Sequence, residues 1–494
     1  MRGLSMQRDN DRMLLRVLTL ALLCSAHPLA QSQALPPEVE AALSRAKVPR
    51  DAVSMLVMDA QSGVTRVSHR ASSSMNPASV MKLVTTYAAL DLLGPAYVWS
   101  TPVYLDGPVR EGSLQGNLYI KGQGDPKLVL ERLWLLLRRV QGLGIHHIAG
   151  DIVLDRSALD IPEVDPASFD GEPLRPYNAA PDALLINYKS VVMTFTPDRS
   201  AQVAQVQFDP PLFGVQMQAT VPLTAGDCAD YRGSLKADFS DARRIRFLGS
   251  YAASCGEKVW PVAYADPKSY GARTVQGLWL EMGGKLAGTV RYGQVPAALA
   301  GSKPAFELAS APLPEAIRDI NKFSNNVMAQ QLFLTLGRVM PAAAFADTSS
   351  TENPLASGSF NASRASVLRW WRERISADDA PVLDNGSGLS RQERITAQAL
   401  GKLLQTAYKS PLMPELMSSL PITGVDGTLR RNKSAAVGSA HLKTGSLNNV
   451  VAVAGYVHTP SGKNQILVAM VNHANANAAR PAIDALVEWT ARTP

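Results

Sequence analysis

Ser79-Val80-Met81-Lys82 sets a hydroxyl and an amine three residues apart. On a helix such residues are neighbours, with Cβ atoms about 5–6 Å apart. An amine whose basicity is lowered by burial can take a serine proton, and a helix N-terminus favours the negative charge that develops. The spacing alone is weak evidence, because Ser44-Arg45-Ala46-Lys47 shares it on what reads as an exposed helix face. Ser79 differs in its surroundings. It follows a hairpin pattern and opens an apolar-periodic stretch, 80–93, stopped by Gly94-Pro95, so a helix starting near Ser79 is expected.

Two further signatures lie downstream. Ser324-Asn325-Asn326 is a Ser-x-Asn, a hydroxyl and an amide suited to passing a proton and orienting a substrate amide. Ser74, Ser359 and Ser446 begin the same pattern, and a polar break between helices explains it equally well on its own. Ser324 stands out by lying between two apolar-periodic stretches, 317–320 and 327–334. Lys443-Thr444-Gly445, followed by Ser446, is the only Lys-Ser/Thr-Gly of the chain, placed where a strand should begin. Lysine and threonine on such a strand suit a substrate carboxylate. Gly445 permits close backbone approach, and the next amide can serve as an oxyanion donor. A solvated strand end is the alternative for this motif alone.

The elements that must carry these groups are legible in outline. Residues 52–58 and 64–69, joined by Gln61-Ser62-Gly63, read as a hairpin. From about Tyr97 short alternating segments follow: 101–105, 117–121, 151–154, 192–196, 202–208 and 216–221, with one amphipathic helix at 128–140. This texture predicts a β-rich insertion over 98–275. Helical patterns return at 274–282, 313–336, 364–375 and 396–409. A terminal hairpin, 450–457 with 465–471, and a last helix, 479–491, close the chain. The expected architecture is an α/β (α+β) core of helices on an antiparallel sheet, formed by 35–97 and 276–494 and split by the insertion.

The chain has 494 residues, 46% hydrophobic and 18% charged, with a net charge of +7. This is globular composition, and the mild, dispersed excess of positive charge argues against a dedicated nucleic-acid binder while suiting work near an anionic polymer. Residues 1–34 read as an export signal: Arg2, Arg8, Arg12 and Arg16 precede or border the apolar run 17–24, and small residues follow. Periplasmic localisation follows, with at most peripheral membrane association. Removing the leader removes Cys24 and leaves Cys228 and Cys255 in an oxidising compartment, where a disulfide is expected and two buried thiols are the alternative. There is no Gly-x-Ser-x-Gly, no His-Glu-x-x-His and no Cys/His set at zinc spacing.

The three signatures occur in one order, Ser-x-x-Lys, Ser-x-Asn, Lys-Thr-Gly, a combination found in penicillin-binding proteins and class A β-lactamases. Longer blocks extend the match: 121–126 (Lys-Gly-Gln-Gly-Asp-Pro), 150–155, 177–184, 322–326, 384–391 (Asp-Asn-Gly-Ser-Gly-Leu-Ser-Arg) and 424–429. On these residues the chain resembles the class C low-molecular-mass penicillin-binding proteins, D-alanyl-D-alanine carboxypeptidases/endopeptidases of peptidase family S13, over essentially the whole mature chain. The resemblance implies an insertion folded as two extra domains and acyl-serine chemistry on peptidoglycan stem peptides, with no cofactor or metal. It implies Ser79 as nucleophile, Lys82 as base, Ser324 as proton relay and Asn326 as holder of the substrate amide. It further implies that Lys443 and Thr444 bind the terminal carboxylate and that the amides of Ser79 and Ser446, beside Gly445, form the oxyanion hole. Arg391 is implied to contact a diaminopimelate side chain, and Asp170 to be an acidic contact in a stretch, 170–176, that departs from the family pattern. β-Lactams are implied as covalent inhibitors. The rival readings are a β-lactamase and a non-catalytic peptidoglycan-binding relative; a homodimer is left open.

Overall fold

The computed structural model describes residues 34–340 and 357–492; the expected leader and Cys24 lie outside the described residues. At the centre is a five-stranded antiparallel sheet. Its strands are β1 (Val53–Asp59), β2 (Thr65–His69), β3 (Ala440–Leu447), β4 (Val450–His458) and β5 (Asn464–Asn472), in the order β2-β1-β5-β4-β3. β1, β4 and β5 are apolar almost without interruption, because both faces of the sheet are covered. The two-residue period then sorts side chains between two cores. Ile466, Val468 and Met470 of β5 face one cluster, and Leu467, Ala469 and Val471 the other.

Helices α1 (Pro37–Arg45) and α7 (Arg480–Arg492) cover the second face. Among the described residues the first is covered by α2 (Lys82–Leu93), α3 (Leu313–Phe323), α4 (Asn326–Val339), α5 (Phe360–Arg374) and α6 (Ala397–Tyr408), joined by the short helix Met413–Ser419. α2 is buried at every position from Lys82 to Leu90, as expected of a helix surrounded by others rather than lying on a surface. α3 carries its apolar stripe at Leu313, Ala316, Ile317 and Ile320. On β3, Ala440 and Leu442 belong to the α1/α7 side, so the alternation turns Lys443 toward the helices of the first face. The helical pattern 313–336 is divided at Ser324, between the two apolar-periodic stretches, and Ser324 ends α3 in a left-handed conformation (φ 57°).

The intervening chain builds two larger sheets and two small ones. One larger sheet aligns Val290–Tyr292, Ile152–Asp155, Asn117–Lys121, Ser100–Asp106 and Phe306–Ala309. The other aligns Tyr251–Ala252, Thr220–Thr224, Val203–Asp209, Ser190–Asp198 and Lys258–Ala263. The segment 216–221, expected as one strand, is two: Gln216–Met217 and Thr220–Thr224 join different sheets. The boundary expected at 276 falls within one helix. The helix Pro267–Glu281 buries Tyr270, Val275, Leu278 and Trp279 in the insertion's own apolar cluster, and Phe306 pairs with Val103. A helical pattern looks the same whichever layer it packs on, so only tertiary pairing could show this. The chain leaves and re-enters the core at one place, where Ser310 N donates to Trp99 O (2.8 Å) and Leu313 N to Tyr97 O (2.9 Å).

Cys228 and Cys255 form a disulfide within the insertion, closing a loop of sequence separation 27. Loop-closure entropy for that length makes the bond worth roughly 3.5 kcal/mol. A Cys228→Ala/Cys255→Ala variant is expected to lose about that much unfolding free energy in urea; an unchanged midpoint would show that the insertion does not depend on the bond.

Candidate active site

The turn that carries Ser79 is held before the helix begins. Asn76 and Asn472 exchange hydrogen bonds: Asn76 N donates to Asn472 Oδ1 (2.8 Å), and Asn472 Nδ2 donates to Asn76 O (3.0 Å). The Asn76 side chain accepts from Ala78 N (2.8 Å) and donates to Ser390 O (2.9 Å). Ala78 takes a positive φ of 48°, and Ser79 falls on a single 3-10 turn, Ala78–Met81, that runs straight into α2. Two glycines press on this turn. A Cβ on Gly445 would lie 2.5 Å from Pro77 O and 3.0 Å from Ser79 N, and one on Gly388 would lie 2.0 Å from Ala78 O. Larger residues there would push β3 and the 384–391 loop away from the serine.

Lys82 is fully buried behind Ser79. Its Nζ lies 2.9 Å from Ser79 Oγ and 2.6 Å from Asn326 Oδ1, and it also contacts Ser387 O. The types of these partners decide what the amine can do. A carbonyl and an amide oxygen only accept, whereas a hydroxyl can also donate. With the amine neutral, its two N–H groups would serve Asn326 and Ser387 and its lone pair would be left for the Ser79 hydroxyl. Burial, and then the positive charge of Lys443, hold its basicity well below the usual lysine range, against the opposing pull of Glu393.

Ser324 and Lys443 form a second hydroxyl–amine pair. Lys443 Nζ donates to Ser324 Oγ (3.0 Å) and to Thr444 O (2.8 Å), and burial holds this lysine down to about 7. Ser324 reaches this position because α3 stops on it in the left-handed conformation, while Asn325 caps α4 by accepting from Met328 N (3.0 Å). Asn326 opens α4. Its Nδ2 donates to Tyr177 O (3.3 Å), which leaves Oδ1 for Lys82. The Thr444 hydroxyl lies 2.7 Å from that of Thr428, and Ser446 Oγ accepts from Arg480 (3.2 Å). The structure thus forms two hydrogen-bonded groups, Ser79–Lys82–Asn326 and Ser324–Lys443, where α2, the α3–α4 break and β3 meet.

Arg391 and Asp170 lie further out. The Arg391 guanidinium sits 4.8 Å over the Phe169 ring and donates to Asn448 O (3.2 Å). Arg391, Phe169, Tyr177, Asn178, Arg364 and Asn385 help line a cavity of about 800 Å³. Asp170 does not line it. Its carboxylate accepts from Tyr177 Oη (2.8 Å) and Asn178 Nδ2 (2.7 Å), which ties the 170–178 loop together. Several neighbours of the site were not singled out in the sequence. Asn472 lies on a strand remote from any motif, and Ser387 acts through its carbonyl. Lys322, buried, pairs with Asp426 at 2.6 Å and ties the Ser324 segment to the 422–428 loop. The last pair sits inside the longer family-like blocks, which is the signal that could have found it.

Lys443 has an ordinary value of 10.5 but is held to about 7 in the folded protein. Between these values the unfolded chain binds more protons, so stability rises with pH across that window, and the buried amine is destabilising at and below neutral pH. Lys443→Met is expected to raise the unfolding free energy on the order of 2 kcal/mol at about pH 7 and to flatten its rise toward about pH 10. Denaturant titrations at several pH values read both effects; a variant less stable than wild type at neutral pH contradicts them.

With this geometry in view, the comparisons are specific. The D-alanyl-D-alanine carboxypeptidase of Actinomadura sp. (strain R39) is 28% identical over 462 residues, covering 87% of this chain and 79% of the relative. The D-alanyl-D-alanine carboxypeptidase DacB of Haemophilus influenzae is 26% identical over 409 residues, covering 82% of each. The crystal structure of penicillin binding protein 4 (dacB) from Haemophilus influenzae shares the fold, with a TM-score of 0.67 at 22% identity over 91% of this chain and 99% of that one. The model of the D-Ala-D-Ala carboxypeptidase 3 (S13) family matches residues 35–493, and the chain belongs to that family.

Proposed function

We propose that this chain is a serine-type D-Ala-D-Ala carboxypeptidase that also opens D-Ala-diaminopimelate cross-links, acting on peptidoglycan stem peptides through an acyl-enzyme on Ser79. The observation that carries this reading is Lys82: a buried amine whose other two partners can only accept, so that its lone pair is left for Ser79 Oγ. Neutral Lys82 takes the hydroxyl proton as Oγ attacks the carbonyl carbon of the penultimate D-alanine. The developing oxyanion is held by the amides of Ser79 and Ser446, a placement supported by the packing of Gly445 on Ser79 N. The C–N bond then breaks, and the leaving D-alanine nitrogen receives its proton through Ser324, hydrogen-bonded to Lys443. Water attacks the ester, releases the shortened peptide and restores Ser79.

In this reading Asn326 orients the substrate amide, and Lys443 and Thr444 hold the terminal carboxylate. A β-lactam amide is opened by the same attack, but its amine stays tethered, so the ester persists. The cavity beside the cleft supports action on bulky stem peptides, with Arg391 facing the diaminopimelate side chain and Asp170 shaping the wall. We assign the catalytic core to 35–97 and about 310–494, with the two-sheet insertion between them. An exported, periplasmic enzyme is supported by the leader pattern and the disulfide. Among the described residues no helix is long and apolar enough to cross a membrane.

Labelling with a fluorescent penicillin tests the assignment. Ser79→Ala is expected to abolish the covalent label, and Lys82→Met to slow acylation about 10³-fold, the range of a lost general base. Ser324→Ala is expected to label readily but to release D-alanine from a pentapeptide more slowly. A label that persists in Ser79→Ala refutes the reading.

A further inference from the structure

Among the described residues Glu393 is an acidic group fully buried beside this site, and the chemistry above does not use it. Its side chain is fully buried. Oε1 accepts from the amides of Asp384 (3.2 Å), Asn385 (3.2 Å) and Gly386 (2.9 Å), while Oε2 is buried with no hydrogen-bond partner. A fan of three amides closing on one oxygen fixes the shape of the loop that follows. That loop presents the Ser387 carbonyl to Lys82, and its Gly388 packs on Ala78. On its other side Glu393 is two residues from Ile395, whose N–H and C=O both pair with Met75 (3.0 Å each), at the head of the serine turn. Glu393 thus sits between the serine turn and the loop that aims the lysine.

We infer that Glu393 is a positioning residue for the reaction: its carboxylate moulds the 384–387 loop so that the Ser387 carbonyl aims Lys82, and its negative charge sets how readily Lys82 gives up a proton. The inference rests on the proposed role of Lys82 as base. Electrostatics support it. The charged groups acting on Lys82 are Lys443 on β3 and Glu393; those acting on Glu393 are Lys82 and Asp384, the latter paired with Arg364 at 3.8 Å. Burial raises the Glu393 carboxyl to about 7 even against its amide donors, so its charge changes within the working range of the enzyme. An ionised Glu393 favours the protonated form of Lys82, and its removal lowers the basicity of Lys82 further.

The test measures the acylation rate with a fluorescent penicillin between about pH 5 and 9. Glu393→Gln keeps an acceptor for the amides but removes the charge. Its acidic limb is expected to move down by about one pH unit, the effect of one nearby charge. Glu393→Asp keeps the charge but shortens the reach, so its limb should stay in place while the rate falls about tenfold at every pH. An unmoved limb in a folded Glu393→Gln would reduce Glu393 to a structural residue and overturn the inference. If Glu393→Gln does not fold, Glu393→Asp decides: a wild-type rate overturns the inference, and a lower rate with the limb in place supports it. Ser79→Ala in the same assay separates the two levels, since a retained label refutes the serine–lysine reading itself, whatever Glu393 does.

Discussion

Two lysine ammonium groups buried at one seam, where α2 meets β3, are the constraint around which the rest of the molecule is arranged. Lys82 and Lys443 are both removed from water: burial and then the charge of Lys443 lower the proton affinity of Lys82, and burial lowers that of Lys443. Such groups destabilise a fold unless they are neutralised or hydrogen-bonded. Burial eases the loss of their protons, and an amine without its proton beside a hydroxyl is a base. The energetic burden and the reactivity are one fact seen twice.

That arrangement needs elements from far-apart parts of the chain to meet within a few tenths of an ångström. The Asn76–Asn472 pair clips the serine turn to the last strand of the sheet. Gly445 and Gly388 let β3 and the 384–391 loop close on that turn from two sides. Ser324 is delivered by a helix that ends in the left-handed conformation, which is costly for a serine and is the kind of local strain that accumulates at functional sites. The covered, two-faced sheet beneath supplies the rigidity that makes these contacts reproducible. The chain enters and leaves the insertion at Tyr97–Trp99 and Ser310–Leu313, and the insertion packs back on the core through Asp182 with Gln331, Lys127 with Asp319, and Tyr177, a partner of Asn326.

Motif order, element types and the core sheet were legible in the sequence because they rest on local rules: period, caps and turn residues. The hairpin at 53–69, the helix after Ser79 and the terminal strands lie within a residue or two of expectation. Which layer the helix Pro267–Glu281 packs on was not legible in this way, because it depends on the partner and apolar periodicity is blind to the partner.

The sequence by itself determined which groups are available: a serine and a lysine one helical turn apart, a second serine with an asparagine, and a lysine on a strand beside a glycine. The tertiary structure alone decided their states. It buried both amines, gave Lys82 two acceptors besides Ser79 Oγ, and joined Lys443 to Ser324 across 119 residues of chain. It also placed Glu393, which no motif marks, behind the loop that aims the base. Protonation and orientation follow from desolvation and from the direction of neighbouring dipoles, and both are properties of packing rather than of the order of residues.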